Sequence, residues 1–190
     1  MDTISDRLKT ILTIGHSTRP LDEFIGLLKH YQLTLLADVR TVPRSRHNPQ
    51  FNRESLPQAL EVEGIGYVHI PGLGGLRRSI LKDSPNTGWR TSGFRNYADF
   101  MGTPEFEENL DRLIKMAGEE RLALMCAEAL PWRCHRSLIA DALTVRGVEA
   151  RHIMSPTSCP AHILTSWAKV EGLRLTYPAP EKESGSFPRA

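Results

Sequence analysis

A chain of 190 residues, 40% hydrophobic and 24% charged, has the size and composition of one globular domain with a sizeable core. A formal net charge of +2 excludes a general attraction to polyanions, so any preference for anions has to come from local clusters. Three cysteines, Cys126, Cys134 and Cys159, are too few for a disulfide scaffold, and no stretch reaches the ~18 consecutive apolar residues of a membrane span. With no signal-like apolar run in "MDTISDRLKT", the expectation is a cytoplasmic protein with no membrane partner.

Short β-branched runs alternate with helical patterns, which predicts a three-layer α/β sandwich: a mainly parallel sheet of about five strands with helices on both faces. "TILTIG" (10–15) is the first strand. A helix follows with Phe24, Leu27, Leu28 and Tyr31 on one face, Ser17 or Thr18 as its cap and Pro20 in its first turn. "LTLLADVR" (33–40) is the second strand, and 55–64 a helix from Ser55 to a terminating Gly64. "IGYVHIP" (65–71) is the third strand, followed by an aperiodic excursion over 72–93, a length at which loops are usually functional or mobile.

A helical stretch around Tyr97 and Met101 leads to a second helix opened by Thr103 and Pro104, with Phe106, Leu110, Leu113 and Ala117 on one face. "RLALMC" (121–126) is a buried strand, 135–147 a helix and 148–154 the last strand. Spacing of Ile163, Trp167 and Val170 predicts a final helix over 158–171 facing the core. The single domain is drawn over 1–176, and the proline- and serine-bearing stretch 177–190 is expected to be disordered.

In a parallel sheet, ligands bind beyond the carboxyl ends of the strands. His16 and Ser17 follow the first strand, Asp38, Arg40 and Ser45 the second, and Cys126, Glu128, Cys134, His135 and Arg136 the fourth. Plainer readings exist for each: a turn and cap for His16 and Ser17, a buried ion-pair clamp of Asp38 with Arg40 or Arg136, an inert buried thiol for Cys126. "CHR" (134–136) is harder to reduce to packing, because unpaired amides at a helix start favour anions and lower a thiol pKa, and Arg136 adds a bidentate donor.

A zinc site from Cys126, Cys134 and His135 has poor spacing, and a phosphatase loop is excluded because Arg133 falls one residue late and Pro131 interrupts. "LGGL" (73–76) lacks the spacing of a dinucleotide fingerprint. No metal and no cofactor is read. Four arginines between Arg40 and Arg53, and Arg77, Arg78, Lys82, Arg90 and Arg95 around Trp89, add a feature suited to phosphates and stacked bases.

"TIGHS" (13–17), "DVRTVPRS" (38–45), "LGG" (73–75), "MCAEALPWRCHR" (125–136) and "HI" (152–153), in that order, resemble the family called domain of unknown function 488 over roughly residues 11–155. The resemblance implies a small prokaryotic cytosolic α/β protein, and no activity. From the residues, the expectation is an enzyme acting on a phosphorylated or nucleotide-like anion. Arg40, Arg136, His16, Ser17 and Ser45 would bind it, Cys126 or Cys134 would be nucleophile or redox thiol beside His135, and Glu128 or Asp38 would be general base. The alternative is a non-catalytic nucleic-acid-binding module built on the arginine loops. Partners are therefore an anionic small molecule or nucleic acid, with the oligomeric state open.

Overall fold

In the computed structural model, which describes residues 10–180, the strands are β1 (Thr10–Gly15), β2 (Leu35–Asp38), β3 (Gly66–His69), β4 (Leu122–Cys126) and β5 (Glu149–Ile153). The helices are α1 (Leu21–His30), α2 (Leu56–Val62), α3 (Ser92–Phe100), α4 (Pro104–Ala117) and α5 (Arg136–Thr144). The five strands are parallel throughout, in the order β3-β2-β4-β1-β5. Alternation along β4 shows why both faces are covered: Leu122, Leu124 and Cys126 join α3, α4 and α5 in one apolar cluster, while Ala123 and Met125 join α1 and α2 in the other. This is the three-layer α/β sandwich read from the alternation.

Local chemistry explains the helix boundaries. Thr103 accepts from the Phe106 amide at 3.3 Å and Pro104 fills the first turn of α4, as its sequence predicts. Gly64, at φ +71°, turns the chain out of α2 through the left-handed region. The expected Ser17 or Thr18 cap of α1 does not form. The amides of His16 and Ser17 continue the sheet ladder to the carbonyls of Cys126 and Ala127 at 3.0 and 2.9 Å, Ser17 takes φ +50°, and Pro20 stands at the cap.

The expected helix over 158–171 does not form either. Ile163 is 84% exposed, and the segment runs antiparallel beside edge strand β5, with His152 N–H donating to the Pro160 carbonyl and His162 N–H to that of Ala150. Pro160 removes a helical donor, and the open edge of β5 supplies the alternative partners. A hairpin follows, β6 (Lys169–Glu171) with β7 (Arg174–Thr176).

Order continues past residue 176. Tyr177 is fully buried, its hydroxyl donating to Asp141 at 2.9 Å and its amide to Asn86 Oδ1 at 2.8 Å. The expected disorder over 177–190 therefore fails at Tyr177, and 181–190 lie outside the described residues. This return covers α5, which is buried from Arg136 to Leu143. The excursion after β3 is tied to it through Asn86, whose side chain also donates to Asp99 at 2.7 Å. Among the described residues no helix is long and apolar enough to cross a membrane.

Candidate active site

Strand order brings the chemistry together. The chain leaves β1 for the far side of β4 and leaves β4 for the far side of β1, so the connections diverge at the β1–β4 pair and open a crevice at its carboxyl end. Gly15 lies opposite Cys126 and Asp38 opposite Met125, which puts the ends of β1, β4 and β2 side by side. The loop after β4 passes so close to β1 that a Cβ at Gly15 would lie 1.8 Å from the Glu128 carbonyl oxygen. Glycine is required there.

Beneath the crevice Arg40 and Asp38 form a buried, forked ion pair, with Nε to Oδ1 at 2.9 Å and Nη2 to Oδ2 at 2.6 Å. Tyr67 donates to the same carboxylate at 2.7 Å, and Arg40 also donates to the Phe51 carbonyl. His16 gives its Nδ1 proton to the Ser17 carbonyl, so its Nε2 accepts from Arg40 Nη1 at 3.2 Å. Burial and the neighbouring Arg40 charge lower the His16 pKa to about 4, which keeps the ring neutral. Asp38 is fully buried in this clamp and does not line the crevice, so the geometry removes it from the candidate bases.

Arg136 is also displaced from its expected role. It is 1% exposed, donating through Nη2 to the carbonyls of Glu128 and Ala129 at 2.7 and 3.2 Å and through Nη1 to Thr13 Oγ1 at 3.5 Å. Its fork shapes the loop after β4 rather than facing a ligand, and its Nε has no hydrogen-bond partner among the described residues. The positive charge remains uncompensated by a carboxylate among the described residues, next to the thiols.

Two free thiols meet above it. Cys126 Sγ and Cys134 Sγ lie 2.7 Å apart, the Glu128 amide donates to Cys126 Sγ at 3.3 Å, and His135 Nδ1 lies 3.4 Å from Cys134 Sγ. His135 Nε2 donates to the Val39 carbonyl at 3.2 Å, which leaves Nδ1 free to accept the Cys134 proton. Burial would raise both thiols. At Cys134 it is outweighed by hydrogen bonds from Cys126 and His135 and by the charges of His135 and Arg136, which hold this thiol well below its ordinary value. Cys126, raised by burial and by the Cys134 sulfur, keeps its proton. The two shifts are opposed, so of the pair Cys134 is the thiol that gives up its proton more readily.

The thiols line a cavity of about 320 Å³ with Tyr97, Phe94, Leu76 and Arg133 on its walls. A second hollow of about 390 Å³, lined by His16, Ser17, Arg44, Ser45 and Asn48, shares Arg40, Val42 and Glu128 with it. The site thus has an apolar thiol lobe and a polar lobe, with the exposed Glu128 between them. A groove of about 730 Å³ shares Phe94 and Arg133 with the thiol lobe and carries Trp89, Trp132, Trp167 and Arg90. Among the described residues no group of three or more His, Cys, Asp or Glu is arranged to hold a metal ion.

Of the ten residues singled out by sequence, Cys126, Glu128, Cys134 and His135 gather in the thiol lobe, and His16, Ser17, Arg40 and Ser45 line the polar lobe; Asp38 and Arg136 lie beneath. Sequence reasoning passed over Tyr97, whose ring centroid is 5.1 Å from that of His135, and Gly75, where a Cβ would lie 2.5 Å from His135 Nδ1. Gly75 carried a signal in "LGG", the backbone's close approach to the imidazole. Arg133 was visible as a cation in the same loop as the cysteines and forms no ion pair among the described residues.

Fold and site together define a parallel α/β protein with a cysteine–histidine pocket at its topological switch. The chain belongs to the family described as domain of unknown function DUF488, whose model matches residues 20–143. The matched stretch holds "DVRTVPRS", "LGG" and "MCAEALPWRCHR" and leaves out "TIGHS" and "HI" at 152–153. No curated protein and no solved structure matches it.

Proposed function

We propose that this protein is a small cytoplasmic enzyme that uses the Cys134 thiolate as nucleophile toward an anionic, phosphorylated or nucleotide-like substrate. The observation that supports it is the contact of Cys134 Sγ with His135 Nδ1, inside a cavity whose rim carries Arg133 and whose neighbouring lobe carries Arg40 and Arg44. The thiolate attacks the electrophilic centre, the bond to the leaving group breaks, and the departing atom takes the proton that His135 received from Cys134. Glu128, between the lobes, is the base that activates water to release the product from sulfur. Arg133 and Arg44 hold the anion, since Arg40 is neutralised by Asp38 and Arg136 is occupied with carbonyls. A reducing, prokaryotic cytoplasm fits chemistry that requires free thiols.

Iodoacetamide labelling near neutral pH tests this reading. Cys134 is expected to label well before Cys159, whose thiol is raised by burial, and inorganic phosphate is expected to slow it. Equal rates at the two cysteines would remove the nucleophile.

A second reading, a nucleic-acid-binding module, is favoured by the groove in which Trp89, Trp132 and Trp167 stand with Arg90 and Arg133. Its signature is binding of a single-stranded oligonucleotide with a log–log salt slope of about −3.5 for about five phosphate contacts. Absence of binding at low salt eliminates it.

A further inference from the structure

A nucleophilic role for Cys134 leaves Cys126 without a task of its own. A buried cysteine is most often a small apolar filler, but Cys126 is placed differently. Its sulfur is oriented by the Glu128 amide at 3.3 Å, touches Cys134 Sγ at 2.7 Å and lines the same cavity. The two sulfurs already stand side by side, with about 2.05 Å the length of the bond that would join them. Cys159 is remote from them, packed against the cluster on the opposite face of the sheet.

We propose that Cys126 and Cys134 form a dithiol–disulfide couple in which Cys134 reduces a hydroperoxide and Cys126 resolves the product. The inference rests on the reading of Cys134 as a thiolate and extends it by naming an oxidant and giving Cys126 a chemical role. In the first step Cys134 sulfur attacks the distal peroxide oxygen; an S–O bond forms as the O–O bond breaks, and sulfur loses two electrons to oxygen. The leaving alkoxide takes the proton held by His135 and departs as alcohol, or as water when the oxidant is hydrogen peroxide. Cys134 is then a sulfenic acid.

In the second step Cys126 sulfur attacks the sulfenic sulfur; the S–S bond forms, and the hydroxyl leaves with the Cys126 proton as water. The sum is a dithiol and a hydroperoxide giving a disulfide, an alcohol and water. Return to the dithiol requires an external thiol such as glutathione, two equivalents of which are oxidised through a mixed disulfide. The cavity, walled by Leu76, Phe94 and Tyr97, admits a molecule the size of a small hydroperoxide.

The experiment exposes the fully reduced chain to one equivalent of hydrogen peroxide, then counts thiols under denaturing conditions and maps peptides. The expected result is loss of two of the three thiols, a Cys126–Cys134 cross-link and an intact Cys159. Cys126→Ser, with Cys126→Ala as a second variant should serine disturb the core, is expected to form no cross-link and to yield a Cys134 sulfenic acid trapped by dimedone. Cys134→Ser is expected to lose both products. Three free thiols after peroxide, or a disulfide through Cys159, would overturn the couple. Iodoacetamide labelling of the same preparation separates the two readings: selective Cys134 labelling without cross-linking defeats the couple and spares the nucleophile, and unselective labelling with no oxidation defeats both.

Discussion

His135 holds its Nε2 proton on the Val39 carbonyl and turns its bare Nδ1 to Cys134 Sγ, 3.4 Å away. Backbone therefore fixes the tautomer that can receive the thiol proton. His135→Ala is expected to slow labelling of Cys134 near neutral pH, because the ring that takes the thiol proton and lowers its pKa is gone. Gly75→Ala is expected to act in the same direction by driving the ring off its position, since its Cβ would meet Nδ1. Site-resolved mass spectrometry of labelling rates checks both, and an unchanged rate in His135→Ala would end the role of that ring.

The Asp38–Arg40 pair predicts an asymmetric mutational response. Asp38→Asn leaves a buried guanidinium without its counter-charge and is expected to cost about 3–5 kcal/mol in urea unfolding. Asp38→Leu combined with Arg40→Met is expected to recover much of that. A single substitution costing under about 1 kcal/mol would mean the pair behaves as an exposed one.

Two neutral histidines set the acid limb of the stability curve. Burial first, and neighbouring positive charge second, lowers His16 to about 4, and burial with His162 and Arg136 lowers His152 to about 4. Between there and the ordinary value of about 6.5 the unfolded chain takes up protons that the native chain refuses. Stability is therefore expected to fall as pH drops through that window, by about 1.4 kcal/mol per pH unit for each histidine, and to be insensitive to these groups above it. Urea midpoints across the window measure the slope. His16→Asn is expected to make it shallower by about half; an unaltered slope would show that His16 is charged in the native protein.

Tyr177 is expected to behave as a core residue. Tyr177→Phe removes one of the donors to Asp141, the others being His162 Nε2 at 2.7 Å and the Thr165 amide at 2.9 Å, and should cost about 1–3 kcal/mol. Tyr177→Ala should cost about 3–5 kcal/mol and raise amide exchange throughout α5. Exchange in α5 that is indifferent to Tyr177→Ala would mean that other parts of the return cover the helix.

Elements with a strong local signature were legible in the sequence. Thr103-Pro104 opens α4 where the cap and proline rules put it, and "LALMC" is a strand because a parallel sheet needs apolar side chains on both faces. The convergence of His16, Arg40 and Cys126 was foreseen only as a shared sheet edge, since adjacency depends on β4 lying between β1 and β2, a non-local choice. Of the two readings of Asp38 the geometry fits the clamp and not the base, and Arg136 turns from the ligand expected of it into the carbonyls of its own loop, because residue type reports charge and not direction. Ile163, Trp167 and Val170 imitate a helical face by chance of spacing, while Asp141, in the middle of a helix buried from Arg136 to Leu143, is the sign that something has to cover α5.

Insertion of β4 between β1 and β2 also governs the order of synthesis. When the ribosome has delivered the first hundred residues, β2 can pair with β3 but β1 has neither neighbour, because β4 and β5 are still to come. The nascent chain therefore carries bare strand edges at β1 and at one side of β2, apolar and open to strangers, until residues 122–126 arrive to fill the gap. The same residues end in Cys126, so the strand that fills the gap also delivers the first thiol of the pocket, while the other edge of β1 stays bare until β5 follows.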